Sequence, residues 1–192
     1  MAGHFEALPG GGAAVPLDEV EISILRSLAV QLLELIGPGD EPVAGEDPLA
    51  ALFAEGPTEP PSDPALRRLF PDAYADDDEE LRQAAADFRR YTENDLRTRK
   101  RDDALTVVRT LDGLSASGEG GAVLKLTPDE SRAWLGSLND LRLTIGTRLE
   151  VKDEDQGEEL YRLPDDDPRK PMVMAYLWLG ALQETLVETL MS

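Results

Sequence analysis

The chain has 192 residues, with 39 acidic against 19 basic side chains and a net charge of -20. Proteins bind nucleic acids and anionic membranes by pairing phosphates with Lys and Arg, so this charge argues against direct DNA binding by the chain alone and against membrane binding. The sequence contains no Cys, which excludes disulfides, thiolate catalysis and Cys-ligated zinc within it. It shows neither an apolar run that could span a bilayer nor a secretory signal, and we therefore expect a cytoplasmic protein.

The first predicted helix follows a short strand and a glycine-rich beginning. Residues 1–14 include three consecutive glycines, and we expect a flexible start there. Asp18 and Glu21 have the spacing of a capping box, and Gly37 can end the helix. These signals predict a helix from about residue 19 to residue 36.

The middle of the chain combines a long loop with the longest helical pattern. Residues 37–75 are rich in Pro, Gly and Asp, and short helices are expected at Asp47-Pro48 and Asp63-Pro64, where Asp can cap and Pro can start a turn. The acidic run at 76–80 then begins a long helix, since acids complement the dipole at a helix start. Its apolar residues change phase near Asp102-Asp103, which predicts a bend or break there.

A well-marked helix begins in the second half. Thr127 and Glu130 repeat the capping-box spacing, and an apolar stripe follows from Trp134 to Leu149 at steps of three and four residues. We expect this helix to be central to the domain. Residues 152–171 form a second long loop, which is acidic, and a last helix is expected from about residue 172 to residue 191.

The two halves of the chain resemble each other at an offset of 109 residues. The matches pair Gly11, Gly12, Ala13, Leu17, Glu21, Leu32, Ile36 and Gly37 with Gly120, Gly121, Ala122, Leu126, Glu130, Leu141, Ile145 and Gly146. In each half, glycines are followed by a short strand, a capping box and an apolar helix, and another helix comes later. We therefore predict one mainly α domain over residues 1–192, with four principal helices as two strand-helix-helix halves and a small two-stranded β ribbon. Chance similarity of common residues is the alternative.

The sequence fits none of the enzymatic patterns that we considered. The single histidine, His4, lies in the expected flexible start, and neither a nucleophile-histidine device nor a helical zinc pattern can be built from it. There is no phosphate-binding loop pattern, and the Asp153–Gly157 run matches a calcium loop only loosely. We predict no enzyme, no catalytic residue, no metal site and no cofactor. An enzyme that uses carboxylates or a metal remains an alternative because the chain is so acidic.

Basic residues concentrate on the long predicted helix. Six of the 19 basic side chains fall within 13 positions, namely Arg89, Arg90, Arg97, Arg99, Lys100 and Arg101. The structural interpretation is pairing with nearby acids such as Glu93, Asp102 and Asp103 at helical spacing. The functional interpretation is a positive face that contacts an acidic partner or DNA.

Polar residues also occur within predicted apolar faces. Gln183 lies in the apolar face of the last helix, and Asp95 lies near the stripe of the long helix. A buried polar group needs a partner, which Arg142 or Arg148 could supply, so structural pairing is the favoured interpretation. The last helix is apolar on nearly all sides, as is typical of a helix central to the core or at an interface. A homodimer is therefore an alternative.

Several segments together carry a family resemblance. They are Trp134-Leu135, Leu138 to Arg142, Gly146 to Leu149, Tyr176 to Leu179, Leu182 to Val187, and Phe88 to Arg97. In these segments the sequence resembles the actinobacterial AosR-like family, long described as a domain of unknown function. The resemblance implies a cytoplasmic, non-enzymatic transcriptional regulator of the oxidative-stress response that works with a sigma factor of RNA polymerase. Redox control by cysteine, which the resemblance also implies, cannot operate in a sequence without Cys.

These observations lead us to expect a regulatory protein that acts through protein-protein contacts. The expected partner is a sigma factor or RNA polymerase, and the expected contact is the basic helix face from Arg89 to Arg101. Because members of the family are often encoded beside the Clp protease adaptor, a factor of the Clp system is the second hypothesis.

Overall fold

The computed structural model describes residues 3–37, 55–74, 78–114, 121–151, 160 and 162–191. Within these ranges the strands are β1 (Glu6–Ala7), β2 (Ala13–Leu17) and β3 (Ala122–Leu126). The helices are α1 (Glu19–Ile36), α2 (Pro64–Leu69), α3 (Glu79–Asp112), α4 (Pro128–Arg148) and α5 (Lys170–Met191). The predicted mainly α fold with four principal helices is confirmed.

The β structure is larger than the predicted two-stranded ribbon. The strands form an antiparallel sheet in the order β1-β2-β3, so the expectation of a flexible start is wrong for residues 3–14. Phe5 is only 3% exposed, and its ring meets the ring of Trp134 edge to face at 6.0 Å. Its backbone N–H donates to Thr185 Oγ1 at 3.1 Å. The burial of Phe5 holds the first strand in place. This strand was not predicted because the segment is rich in glycine.

The pairing of β2 with β3 reproduces the offset seen in the sequence. Val15 lies opposite Leu124, and these two residues are also related by the offset of 109 residues. A strand pair in which equivalent residues face each other has a local two-fold arrangement. Each strand then enters a capped helix, since the capping boxes at Asp18 and Thr127 are both formed.

Helix α4 occupies the centre of the helical layer, as its apolar stripe predicts. It packs against α3, α5 and the short α2, whereas α1 packs mainly on α3. Trp134 is fully buried, and its Nε1 donates to Thr110 of α3 at 2.9 Å. Among the described residues, no helix has both the length and the apolar character that crossing a membrane requires.

Of the predicted bend or break near Asp102-Asp103, the break is wrong, because α3 is continuous from Glu79 to Asp112. The buried residues of the helix lie on nearly one face along its length, with Ala85, Arg89 and Glu93 in the first half and Ala104, Val107 and Leu111 in the second. The apolar phase changes because charged residues occupy part of this face in the first half, where the apolar Phe88 and Tyr91 are exposed.

The short helix expected at Asp63-Pro64 is present as α2. Asp63 caps it by accepting hydrogen bonds from the backbone N–H groups of Ala65 and Leu66 at 2.8 and 3.1 Å. The second expected start, Asp47-Pro48, lies outside the described residues.

Gly12 provides a test of the strand pairing. It has a φ of +89°, and an added Cβ would lie 2.2 Å from the carbonyl oxygen of Leu126. Gly10 has a similar φ of +91°, but a Cβ there would meet nothing within 4 Å. We expect Gly12→Ala to lower the free energy of unfolding by about 2 kcal/mol more than Gly10→Ala, because the clash adds to the backbone strain that both share. Urea denaturation of both variants measures this difference, and equal losses would contradict the close approach.

Candidate functional site

Arg89 holds the segment before α3 against the helix. Its side chain is 4% exposed and pairs through Nη1 with Glu93. Its Nη2 donates to the carbonyl oxygen of Phe70 at 3.0 Å and to Asp72 Oδ1 at 2.8 Å. The first of the six predicted partner-binding residues is therefore a buried structural side chain.

Glu93 lies between two arginines at helical spacing. It is 3% exposed, and while one carboxylate oxygen accepts from Arg89, the other accepts from Arg97 Nη2 at 2.7 Å. The guanidinium of Arg97 also lies over the Phe70 ring, 4.5 Å from its centre. The structural interpretation of the cluster anticipated pairing with Glu93. The burial of Glu93 was not predicted, although the arginines four residues before it and four residues after it were an available signal.

Two further contacts join α3 to the end of α1. Arg97 donates to the carbonyl oxygen of Ile36, and Arg101 donates to that of Gly37. The last carbonyl groups of a helix have no partner within the helix, and its carboxyl end carries partial negative charge. Arg97 and Arg101 supply both hydrogen bonds and positive charge there, and so connect α3 to α1.

Lys100 joins α3 to the central helix. Its Nζ lies 2.6 Å from Asp140 Oδ1, and the side chain of Asp140 is buried. Burial raises the pKa of the Asp140 carboxyl, although Lys100 acts in the opposite direction. Burial also raises the pKa of Asp103 nearby. Throughout the described ranges, no group of three or more His, Cys, Asp or Glu side chains is placed to hold a metal ion.

The remaining two members of the cluster, Arg90 and Arg99, differ in exposure. Arg90 is half-buried and pairs with Glu55. Arg99 is exposed, and no hydrogen bond or ion pair holds it in the part of the chain that the structure describes. Five of the six residues thus serve contacts within the chain, and a partner contact of the cluster stays a prediction.

The polar residues proposed as structural pairs fall into two groups. Arg142 Nη1 donates to Gln183 Oε1 at 2.7 Å, so the structure brings these two residues together between α4 and α5. Arg148 instead pairs with Asp63 at 2.7 Å and holds α2. Asp95 is exposed, contrary to its expected place near the apolar stripe, because the first half of α3 buries the face that contains Glu93.

Two adjoining cavities lie between the first half of α3 and the segment that precedes it. The larger has a volume of about 340 Å³ and is lined by apolar groups that include Phe70, Phe88 and Leu96, together with Arg89. The smaller has a volume of about 160 Å³. Asp72 lines both cavities. This concave region is the candidate binding site of the fold.

The fold and site define a mainly α protein in which a buried ion network holds the segment before α3 against that helix. The chain belongs to the DUF2017 family, described as a domain of unknown function, which matches residues 2–190. It is 32% identical to the oxidative stress regulator AosR of Mycobacterium bovis over 176 residues, which cover 89% of this chain and 78% of that protein. The Mycobacterium tuberculosis protein of the same name matches with the same identity and coverage. These matches confirm the resemblance to the AosR-like family, and no solved structure matches the chain.

The buried ion network predicts a large difference between two acids on α3. We expect Glu93→Gln to lower the free energy of unfolding by about 3 kcal/mol, because it leaves buried arginine charge without its partner. Asp95→Asn should change it by less than about 0.5 kcal/mol, since Asp95 is exposed. Urea denaturation of both variants at pH 7 tests this difference. Similar values for the two variants would show that the network contributes little.

Two aspartates, Asp140 and Asp112, should have pKa values that depart in opposite directions from the ordinary Asp value of 3.8. We expect Asp140 to titrate above that value, because of burial, and Asp112 below it, because of its hydrogen bond and charge interaction with Arg26. The folded state then holds the Asp140 proton more tightly than the unfolded state. Its contribution to stability therefore falls as the pH rises from 3.8 through the folded pKa. The contribution of Asp112 is instead lost as the pH falls below 3.8 through its folded pKa.

Carboxyl-carbon NMR during a pH titration measures both pKa values in the same sample. Asp140→Asn should remove the dependence of stability on pH that Asp140 causes. It should leave the dependence caused by Asp112 unchanged. An Asp140 pKa at or below the ordinary value would mean that attraction to Lys100 outweighs the effect of burial.

Proposed function

We propose that this protein is a non-enzymatic regulator of the oxidative-stress response that acts by binding another protein. The observation that carries the proposal is the 32% identity, over 89% of the chain, to proteins named oxidative stress regulator AosR. The composition is consistent with this role, since the sequence fits none of the catalytic patterns that we considered.

The proposed partner is a sigma factor or RNA polymerase in the cytoplasm. The net charge of -20 disfavours contact with DNA by the chain alone and favours association with basic protein surfaces. A regulator of this charge would therefore reach promoters through the transcription machinery rather than by reading DNA itself.

The exposed side of α3 is the proposed contact. Arg99 and Phe88 are both exposed, and their spacing of eleven residues, about three helical turns, places them on one face of α3. Reversing the charge of Arg97 or Arg101 would disturb the contacts with the end of α1. Arg99 therefore allows the surface to be tested without disturbing the fold.

The experiment compares two charge reversals on α3. Tagged wild type, Arg99→Glu and Arg109→Glu are used to recover partners from the cytosol of the encoding organism, and sigma factors and polymerase subunits are quantified by mass spectrometry. Arg109 is also exposed and lies ten residues further along the helix, so it controls for charge. In this proposal Arg99 pairs with an acidic group on the otherwise basic partner. We therefore expect recovery to fall about tenfold, or about 1.4 kcal/mol, for Arg99→Glu only, with unchanged helical circular dichroism.

Two outcomes would contradict parts of this proposal. Equal recovery by both variants would exclude Arg99 from the contact. Recovery of Clp components in place of transcription proteins would overturn the proposed partner and support the Clp hypothesis.

A further inference from the structure

The larger cavity beside α3 is lined by an arginine, Arg89, whose charged groups are already paired. Both Nη atoms of Arg89 are engaged, but its Nε is buried and makes no hydrogen bond among the described residues. The side chain is 4% exposed and lines the cavity of about 340 Å³. Because Nε has almost no accessible surface, Arg89 offers no free donor to a group in the cavity.

The cavity suits an uncharged apolar group. Its walls are mainly apolar, and its volume lies at the lower end of the range of about 300–1,000 Å³ that is typical of ligand pockets. The charge of Arg89 is already balanced by Glu93 and Asp72, so an additional anion would meet two carboxylates.

The rim of this cavity has the composition of a protein contact. Phe88 and Leu96 line it and are 51% and 38% exposed. Tyr74, which is 47% exposed, lines the adjoining cavity and meets Phe88 edge to face at 6.5 Å. Exposed aromatic side chains around a pocket are typical of the centres of protein interfaces.

The charge of the rim selects the kind of segment that can approach. Asp72 lies between the two cavities with its side chain 42% exposed. Asp95 is exposed seven residues after Phe88, on the same face of α3. Arg82 in the smaller cavity is paired with Glu79 at 2.6 Å. Asp72 and Asp95, together with the net charge of -20, complement a basic segment.

We propose that the larger cavity receives one bulky apolar side chain from a basic segment of a partner protein. Basic residues on either side of that side chain approach the carboxylates of Asp72 and Asp95. This inference deepens the proposed function by naming the contact, and it rests on that function in requiring a protein partner.

The test uses a defined probe, the peptide acetyl-Lys-Ala-Lys-Phe-Lys-Ala-Lys-amide, with the full-length protein labelled with ¹⁵N. One control peptide has Ala in place of Phe, and another has Glu in place of every Lys. We expect the Phe peptide to shift the backbone amide resonances of Phe88 and Leu96, which line the cavity, and to bind at least tenfold more tightly than either control. Unmoved resonances, or equal binding of the Ala peptide, would overturn the proposal.

Two matched variants locate the binding on the structure. Thr92 lines the cavity, and its hydroxyl donates only to Phe88 of its own helix at 2.7 Å, so Thr92→Phe fills the space without removing a contact between helices. Thr98 is exposed on the same helix, outside the lining. We expect at least a tenfold loss of peptide affinity for Thr92→Phe and none for Thr98→Phe, with circular dichroism to confirm that both are folded. Equal affinity would overturn the proposal.

Two further measurements separate this inference from the proposed function. If Thr92→Phe and wild type recover equal amounts of transcription proteins, the cavity proposal fails and the proposed function stands. If wild type recovers no such proteins but the Phe peptide binds through the cavity, the proposed partner fails instead. Sedimentation that shows a dimer which Thr92→Phe dissociates would assign the cavity to a second copy of this chain and overturn the proposal.

Discussion

The antiparallel pairing of β2 (Ala13–Leu17) with β3 (Ala122–Leu126) is the constraint on which the rest of the fold depends. It joins equivalent parts of the two halves, and a capped helix leaves each end of the ribbon. Both ends are closed in the same way, since Gly12 approaches the carbonyl oxygen of Leu126 and Gly121 approaches that of Leu17. A side chain at either glycine would push the strands apart. The ribbon therefore sets where α1 and α4 begin, and the helical layer follows from those two positions.

The two halves differ most in their second helices, α3 and α5, which have 34 and 22 residues. The second half of α3 packs against α1 and α4 through apolar residues. The first half has fewer apolar neighbours and is held by the ion network of Arg89, Glu93 and Arg97. Such a network adds little net stability but imposes a large penalty when one member is lost, so it specifies an arrangement more than it strengthens one. It also leaves Phe88 exposed, which gives this region its apolar surface.

Local signals made much of the helical fold predictable. Each capping box, at Asp18 and at Thr127, is formed within four consecutive residues. Gln183 lies on an apolar face and so indicated a polar partner, which is Arg142. The features that were missed depend on distant partners. Phe5 forms part of the core only because Trp134 is there to receive it, and Arg97 finds its acceptor on the backbone of α1. Every residue has a backbone carbonyl oxygen, so the sequence does not show which of them accepts from an arginine. The contacts of the basic cluster could therefore not be predicted from spacing alone.

The use of arginine inside the fold changes the charge that a partner meets. A net charge of -20 already favours basic partners, and most of the basic cluster on α3 is turned inward. Two of the arginines outside that cluster are paired as well, Arg26 with Asp112 and Arg132 with Asp129. The fold thus uses much of its positive charge in contacts within the chain, and among the described members of the basic cluster Arg99 is the exposed one. Phosphate backbones would be repelled by a chain of this net charge, whereas a basic protein segment would be attracted to it before any apolar side chain reached the groove beside α3. Long-range charge and short-range apolar contact therefore select the same kind of partner.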